Sequence, residues 1–250
     1  MNINSYMSNV TSLLEKIKSA NDKNTLKCYV PSINAQVESK QLSVKQQKDI
    51  IRSAMDGSAS GVTFSIAINN IIQSNIVNSN SLSVADRPSI LIAIRAKALG
   101  TSAKSTEGVI LDFTENLTKT IENYPNIDNI NYEGISVNVN IPTIARDQEV
   151  NLAILPNLKE YSKQNEVGET ISNIWVYEIA KFITMISFDD LHIDTNTISI
   201  KDLIKVVESF PTNLNNLIID YIKTCRIIED VYLTVGSEKI AMDASFFTQD

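Results

Sequence analysis

Ile135-Ser136-Val137-Asn138-Val139-Asn140-Ile141 alternates apolar and small polar side chains without interruption. A period of two puts the apolar groups on one side of an extended chain, so the run predicts a strand with one buried face. It is the clearest such run in the sequence. Weaker strand candidates lie around it at Val109–Phe113, Leu117–Ile121 and Val150–Leu155. Together they predict a small antiparallel sheet inserted mid-chain, within residues 101–156.

Outward from this insertion the pattern turns helical. On the N-terminal side, Val10, Leu13, Leu14 and Ile17 mark one face of a helix over about residues 4–20. Residues 26–42 predict a β-hairpin whose loop holds Pro31, Ser32, Ile33 and Asn34. Ser43 with Gln46 forms a capping box ahead of Val44, Ile50, Ile51, Ala54 and Met55, and Gly57 supplies a stop. A helix over about 62–77 follows, and another starts near Asp86, accepts Pro88 in its first turn and closes at Gly100. On the C-terminal side, Ile171, Ile174, Trp175, Ile179, Phe182, Ile183 and Ile186 predict one long helix with Trp175 as a core anchor. Ser199 and Asp202 open another helix, and Leu214 to Ile228 describe the last. Tyr232–Val235 and Ile240–Met242 suit a terminal hairpin. The fold expected is α+β and mainly α-helical: residues 1–100, the β insertion 101–156 and a helical half 157–250, packed as one compact unit.

The chain has 250 residues, 43% of them hydrophobic, enough for a core without disulfides. Its 22 basic and 29 acidic residues leave a net charge of −7, which disfavours a nucleic-acid or anionic-membrane partner. Cys28 and Cys225 are too few and too far apart for a disulfide scaffold, and the expectation is a reducing cytoplasm. Neither a signal peptide nor an apolar run of membrane-spanning length is visible.

Chemistry-bearing motifs are scarce. Gly57-Ser58-Ala59-Ser60-Gly61 has the glycines of a nucleophile elbow but alanine where the serine belongs, so it reads as a helix–helix connection. Phosphate-loop and dinucleotide fingerprints do not occur. Asp190, His192 and Asp194 alternate along an extended segment and would share a side, which suits a divalent ion; a solvated turn is the plainer reading. Cys28 has no histidine near it in sequence to activate it. The expectation is therefore no catalytic residue, no cofactor and no resident metal. Phe246 and Phe247 should not face water. They fold back into the core or dock on another protein.

Two segments carry a resemblance. The first runs Leu26-Lys27-Cys28-Tyr29-Val30-Pro31-Ser32, then Val37 to Leu42, then Val44-Lys45-Gln46-Gln47-Lys48-Asp49-Ile50-Ile51. The second is Ile218-Ile219-Asp220-Tyr221-Ile222 with the closing Met242-Asp243-Ala244-Ser245-Phe246-Phe247. In these the chain resembles the baseplate hub assembly proteins and hub subunits of T4-like contractile-tailed bacteriophages. That resemblance implies a non-enzymatic late protein acting by protein–protein contact in the host bacterial cytoplasm, either an assembly factor or a permanent hub subunit of the virion tail baseplate. It implies other hub and tail proteins as partners, with homo-oligomers a further option, and no catalytic residues carry over. A metal-dependent enzyme using Asp190, His192 and Asp194 is the alternative from another class. Pro31, Ser32, Phe246 and Phe247 are the residues expected to meet a partner.

Overall fold

The computed structural model describes residues 3–56, 60–118, 127–164, 167–226 and 232–248. Helix α1 (Ile3–Lys23) touches the body at its C-terminal end, where Asp22 pairs with Lys40 at 2.7 Å and Asn24 Nδ2 donates to Gln41 Oε1 at 2.8 Å. The hairpin follows as β1 (Thr25–Val30) and β2 (Ala35–Lys40), antiparallel, with Cys28 opposite Val37 and Val30 opposite Ala35. Its loop is a 3-10 turn over Pro31–Ile33, closed by Asn34 at φ 47°, a left-handed conformation that asparagine tolerates.

Helix α2 (Val44–Ala54) starts on the expected capping box, since Ser43 Oγ accepts from Gln46 N and Gln46 Oε1 accepts from Ser43 N. Helix α3 (Ser60–Asn75) follows it, and α4 (Arg87–Leu99) carries proline in its first turn and ends at Gly100 with φ 84°. Gly57, Ser58 and Ala59 lie outside the described residues. Strands β3 (Ser102–Lys104) and β4 (Ile110–Asp112) form a short hairpin. The strand expected over Leu117–Ile121 is not formed at its start: Thr114–Thr118 is a 3-10 turn, begun by Asp112 Oδ1 accepting from Thr114 N at 2.8 Å. Residues 119–121 lie outside the described set.

The alternating run forms β6 (Ile135–Val139), paired with β5 (Asp128–Tyr132). Val150–Leu155, read as a strand, sits instead inside helix α5 (Ile144–Gln164). Val150, Ile154 and Leu158 recur every four residues and all three are buried, so helical spacing prevails over a short β-branched run. Helix α6 (Val167–Phe182) ends earlier than expected, and Ile183 and Ile186, assigned to it from sequence, belong to strand β7 (Ile183–Phe188). Branched Ile183, Thr184 and Ile186 fit a pleated surface, and β6 offers them a ladder: Val139 faces Ile183 and Val137 faces Ile186. Strand β8 (Leu191–Asp194) completes a sheet ordered β5-β6-β7-β8. Helices α7 (Ile200–Glu208) and α8 (Thr212–Arg226), the hairpin β9 (Tyr232–Val235) and β10 (Glu238–Ala241), and a 3-10 turn over Ala244–Phe247 follow.

One apolar cluster runs from Cys28 to Phe247 through α2, α3, α4, the inner face of the β5–β8 sheet, α7 and α8. A smaller cluster of Ile154 and Leu158 takes Val62, Ile174 and Tyr177 against it. That contact turns Trp175 outward, correcting its expected role as a core anchor; it is partly exposed on α6. The described part of the chain is thus mainly helical with small antiparallel sheets, including the N-terminal hairpin. Among the described residues no helix is long and apolar enough to cross a membrane.

Candidate functional site

The loop residues Pro31 and Ser32 are held by a buried carboxylate. Asp86, fully buried ahead of α4, accepts from Ser32 N at 2.8 Å and Ser32 Oγ at 2.6 Å, and its second oxygen also takes Ser83 N at 2.8 Å. Pro31 is buried with it, so the loop leaves Ile33 as its exposed apolar group. Burial raises the Asp86 pKa above the ordinary carboxylate value, and the Ser32 and Ser83 bonds only partly offset that rise. Between the ordinary and the raised value the folded chain keeps a proton that the unfolded chain has lost. Stability from this group therefore falls as pH rises through that window. Ser32→Ala should cost about 1–3 kcal/mol by leaving a buried oxygen short of a donor, and should push the window higher. Urea unfolding across pH 4–7 would check both, and an unchanged midpoint would contradict the tie.

The closing aromatics fold back. Phe246 is 2% and Phe247 0% exposed, so in this structure both rings pack into the core. Asp243 caps the turn by accepting from Ser245 N at 2.8 Å. Phe246 lies 5.7 Å from Phe113 and 5.4 Å from Phe247, the second pair edge to face. The Arg95 guanidinium stands 5.4 Å from the Phe113 ring and 5.5 Å from Phe246, while its Nε donates to Phe246 O. Gln47 Nε2 donates to Phe247 O at 2.5 Å, tying the tail to α2. Both rings are covered by this chain itself.

Asp190, His192 and Asp194 do not converge. Asp190 sits in the β7–β8 turn; His192 and Asp194 lie on the outer face of β8. His192 Nδ1 is 2.8 Å from Ser187 Oγ, and Asp194 caps the next turn by accepting from Asn196 N at 2.9 Å. Among the described residues no three of histidine, cysteine, aspartate and glutamate come together as metal ligands. The same corner shows something the sequence did not. Phe188 faces Ile135 across the β6–β7 ladder and Leu191 across the β7–β8 ladder, and both Phe188 and Leu191 are exposed. The two turns beside them carry Glu133, Asp189 and Asp190, with Glu133 and Asp189 both at positive φ. The sheet end is an apolar patch with an acidic rim.

Other ionisable groups are consumed internally. Asp147 Oδ2 accepts from Asn69 and Asn151 at 2.8 Å, from Ser65 at 3.0 Å and from Arg87, while Oδ1 faces Lys181 at 3.0 Å. Burial alone would raise the Asp147 pKa, but the Arg87 and Lys181 charges outweigh it and hold the carboxyl well below its usual range. Lys181 also pairs with Glu178 at 2.6 Å. Cys28 is buried, its pKa pushed up by burial to about 11, which leaves a protonated thiol at neutral pH. Cys28 and Cys225 are both buried, and neither is in a disulfide. A groove of about 700 Å³ between β5 and α8 is lined by Ile127, Ile130, Leu217 and Tyr221, with Asp128 and Asp220 on its rim; Asp220 is paired to Lys223 at 2.8 Å.

Asp147, Arg87, Lys181 and Arg95 went unnoticed in the sequence. Their signal was a charge set among apolar residues at helical spacing, as Arg95 beside Ile94 and Lys181 beside Ile179 and Phe182.

Residues 23–235 match the family model described as T4 bacteriophage base plate protein. No curated protein and no solved structure matches the chain.

Proposed function

Since the chain belongs to the T4 bacteriophage base plate protein family, we propose that it is a non-enzymatic assembly factor for the baseplate hub, working by contact with other hub and tail proteins in the host cytoplasm. The observation that carries this reading is the division of labour among side chains. Ionisable groups such as Asp147, Lys181 and Asp86 are tied up in the fold, while Phe188 and Leu191 stand exposed at the sheet end. Two adjacent apolar side chains on a rigid ladder, ringed by carboxylates, suit a partner with an apolar centre and a basic rim. Pro31, Ser32, Phe246 and Phe247, expected from sequence to meet a partner, act in this reading as braces of the body that presents the patch, since Pro31 and both rings are buried and Ser32 is bonded to Asp86.

The double variant Phe188→Ser, Leu191→Ser should weaken co-elution with co-expressed hub proteins by about 2 kcal/mol, roughly thirtyfold in Kd, with thermal unfolding little changed. Unaltered co-elution would remove the sheet end as the contact. Mass analysis of purified virions separates the assembly factor, scarce in the particle, from a permanent hub subunit, present in stoichiometric amount.

A further inference from the structure

Between the β3–β4 hairpin, β10 and the closing 3-10 turn lies a cavity of about 160 Å³. A space of ~150 Å³ accepts a benzene-sized molecule, so there is room for a group of about six heavy atoms. Its floor includes Arg95, Ser105 and Phe246, each more than nine-tenths buried. Lys104, Thr106 and Ser245 form an exposed rim. Among the described residues no aspartate or glutamate lines the cavity, although the chain as a whole carries a net charge of −7.

The polar groups indicate what such a space accepts. Arg95 is fixed by its bonds to Phe246 O and Gly100 O and by the Phe113 and Phe246 rings, so its positive charge is held at the floor. Ser105 Oγ accepts from Glu107 N at 3.2 Å and from Val109 N at 3.1 Å. Both lone pairs are thereby used, and the hydroxyl has one hydrogen left to donate. Among the described residues that hydrogen meets no acceptor. A buried donor in this state is costly unless an oxygen from outside takes it. At the mouth, the Thr106 hydroxyl and the Lys104 ammonium add two further donors. Asp243, next to the rim through Ser245, is turned to its own turn, where it accepts from Ser245 N at 2.8 Å and Ser245 Oγ at 2.6 Å. Water would satisfy the Ser105 hydrogen but not the charge. An oxyanion does both, and charge-assisted bonds are the stronger kind.

We propose that this cavity is an oxyanion site, taking one carboxylate or phosphate group over Arg95 and Ser105 with Lys104 at the mouth. It shares no residue with the sheet end and stands apart from the contact made there. Amide NMR of the full chain, titrated with sodium phosphate and separately with sodium acetate at an ionic strength held by chloride, should show saturable shifts at Ser105, Thr106 and Ser245. Tighter binding of phosphate assigns the site to a tetrahedral oxyanion; acetate binding as tightly or more so assigns it to a carboxylate. Lys104→Glu and Ser105→Ala should each weaken binding about tenfold, the loss of one bond to a charged group. Lys201→Glu, on α7 and outside the cavity, makes the same change in net charge and should alter it less than about twofold. Lys104 is exposed, so its variant keeps the test decisive where Ser105→Ala fails to fold. Shifts that rise without saturating would mean an adventitious ion only and overturn the site. So would unchanged affinity in folded Lys104→Glu, or binding that emerges only after residues 249–250 are removed.

Discussion

Asp147→Ala is expected to destabilise the protein by about 3–5 kcal/mol, because it strips the counter-charge from a buried lysine and a largely buried arginine. Lys181 and Asp147 are each more than nine-tenths buried, and Arg87 is largely buried and donates its Nε to Asn69 Oδ1 at 3.0 Å. Glu178 is partly exposed and remains as a lesser partner for Lys181. A loss of that size is a large share of the roughly 5–15 kcal/mol that holds a typical domain. Adding Lys181→Met to Asp147→Ala should restore about 1–2 kcal/mol, since the cost lies in the unpaired charge more than in the missing contact. Acid should reproduce the effect. The folded-state pKa is depressed, so this contribution is complete above the ordinary carboxylate value near 4 and is lost as pH falls below it towards the folded value. Asp86 acts in the opposite sense above that value, which separates the two groups in one pH series. Urea midpoints of parent, single and double variants would check the ledger. A double variant no better than Asp147→Ala would show that lost hydrogen bonds, not charge, set the cost.

Local signals in the sequence carried most of the architecture. The Ser43–Gln46 box, Pro88 and Gly100 placed helix ends because each works through its own neighbours, and the Ile135–Ile141 alternation placed β6 because its period is short. Errors came where a distant partner decides. Ile183 and Ile186 continue the helical spacing of Ile179, and only the presence of β6 beside them makes a strand the better state. Val150 to Leu155 erred the other way, since burial at every fourth position shows only once α3 and α6 lie against α5. The interaction surface was least legible for the same reason. Phe188 and Leu191 are ordinary sheet residues in sequence, and their exposure follows from lying at the open end of a ladder. Phe246 and Phe247 read in sequence as either core or docking groups, because Phe113, Arg95 and Gln47, which surround them, lie far away in sequence.

Phe247→Ala should cost about 3–5 kcal/mol, the usual range for emptying a fully buried aromatic site. The ring has no exposed surface and packs edge to face on Phe246, so neighbours that are themselves held by Arg95 and Phe113 have little freedom to collapse into the space. Phe247→Leu, which keeps most of the volume, should cost only about 1 kcal/mol. Deleting residues 244–250 removes both rings together with the carbonyls that accept from Arg95 and Gln47, and should exceed either substitution. Thermal unfolding and near-UV circular dichroism would measure the series, and a truncated chain with an unchanged midpoint would show that the tail is dispensable to the core. The ordering bears on function. A tail truncation that abolishes hub assembly also lowers the population of folded chains, so it does not distinguish docking from stability. Phe188→Ser with Leu191→Ser removes exposed apolar surface and leaves the core untouched. If that variant loses its partner while staying folded, and Phe247→Ala binds in proportion to its folded fraction, then the tail acts as a brace and the sheet end makes the contact.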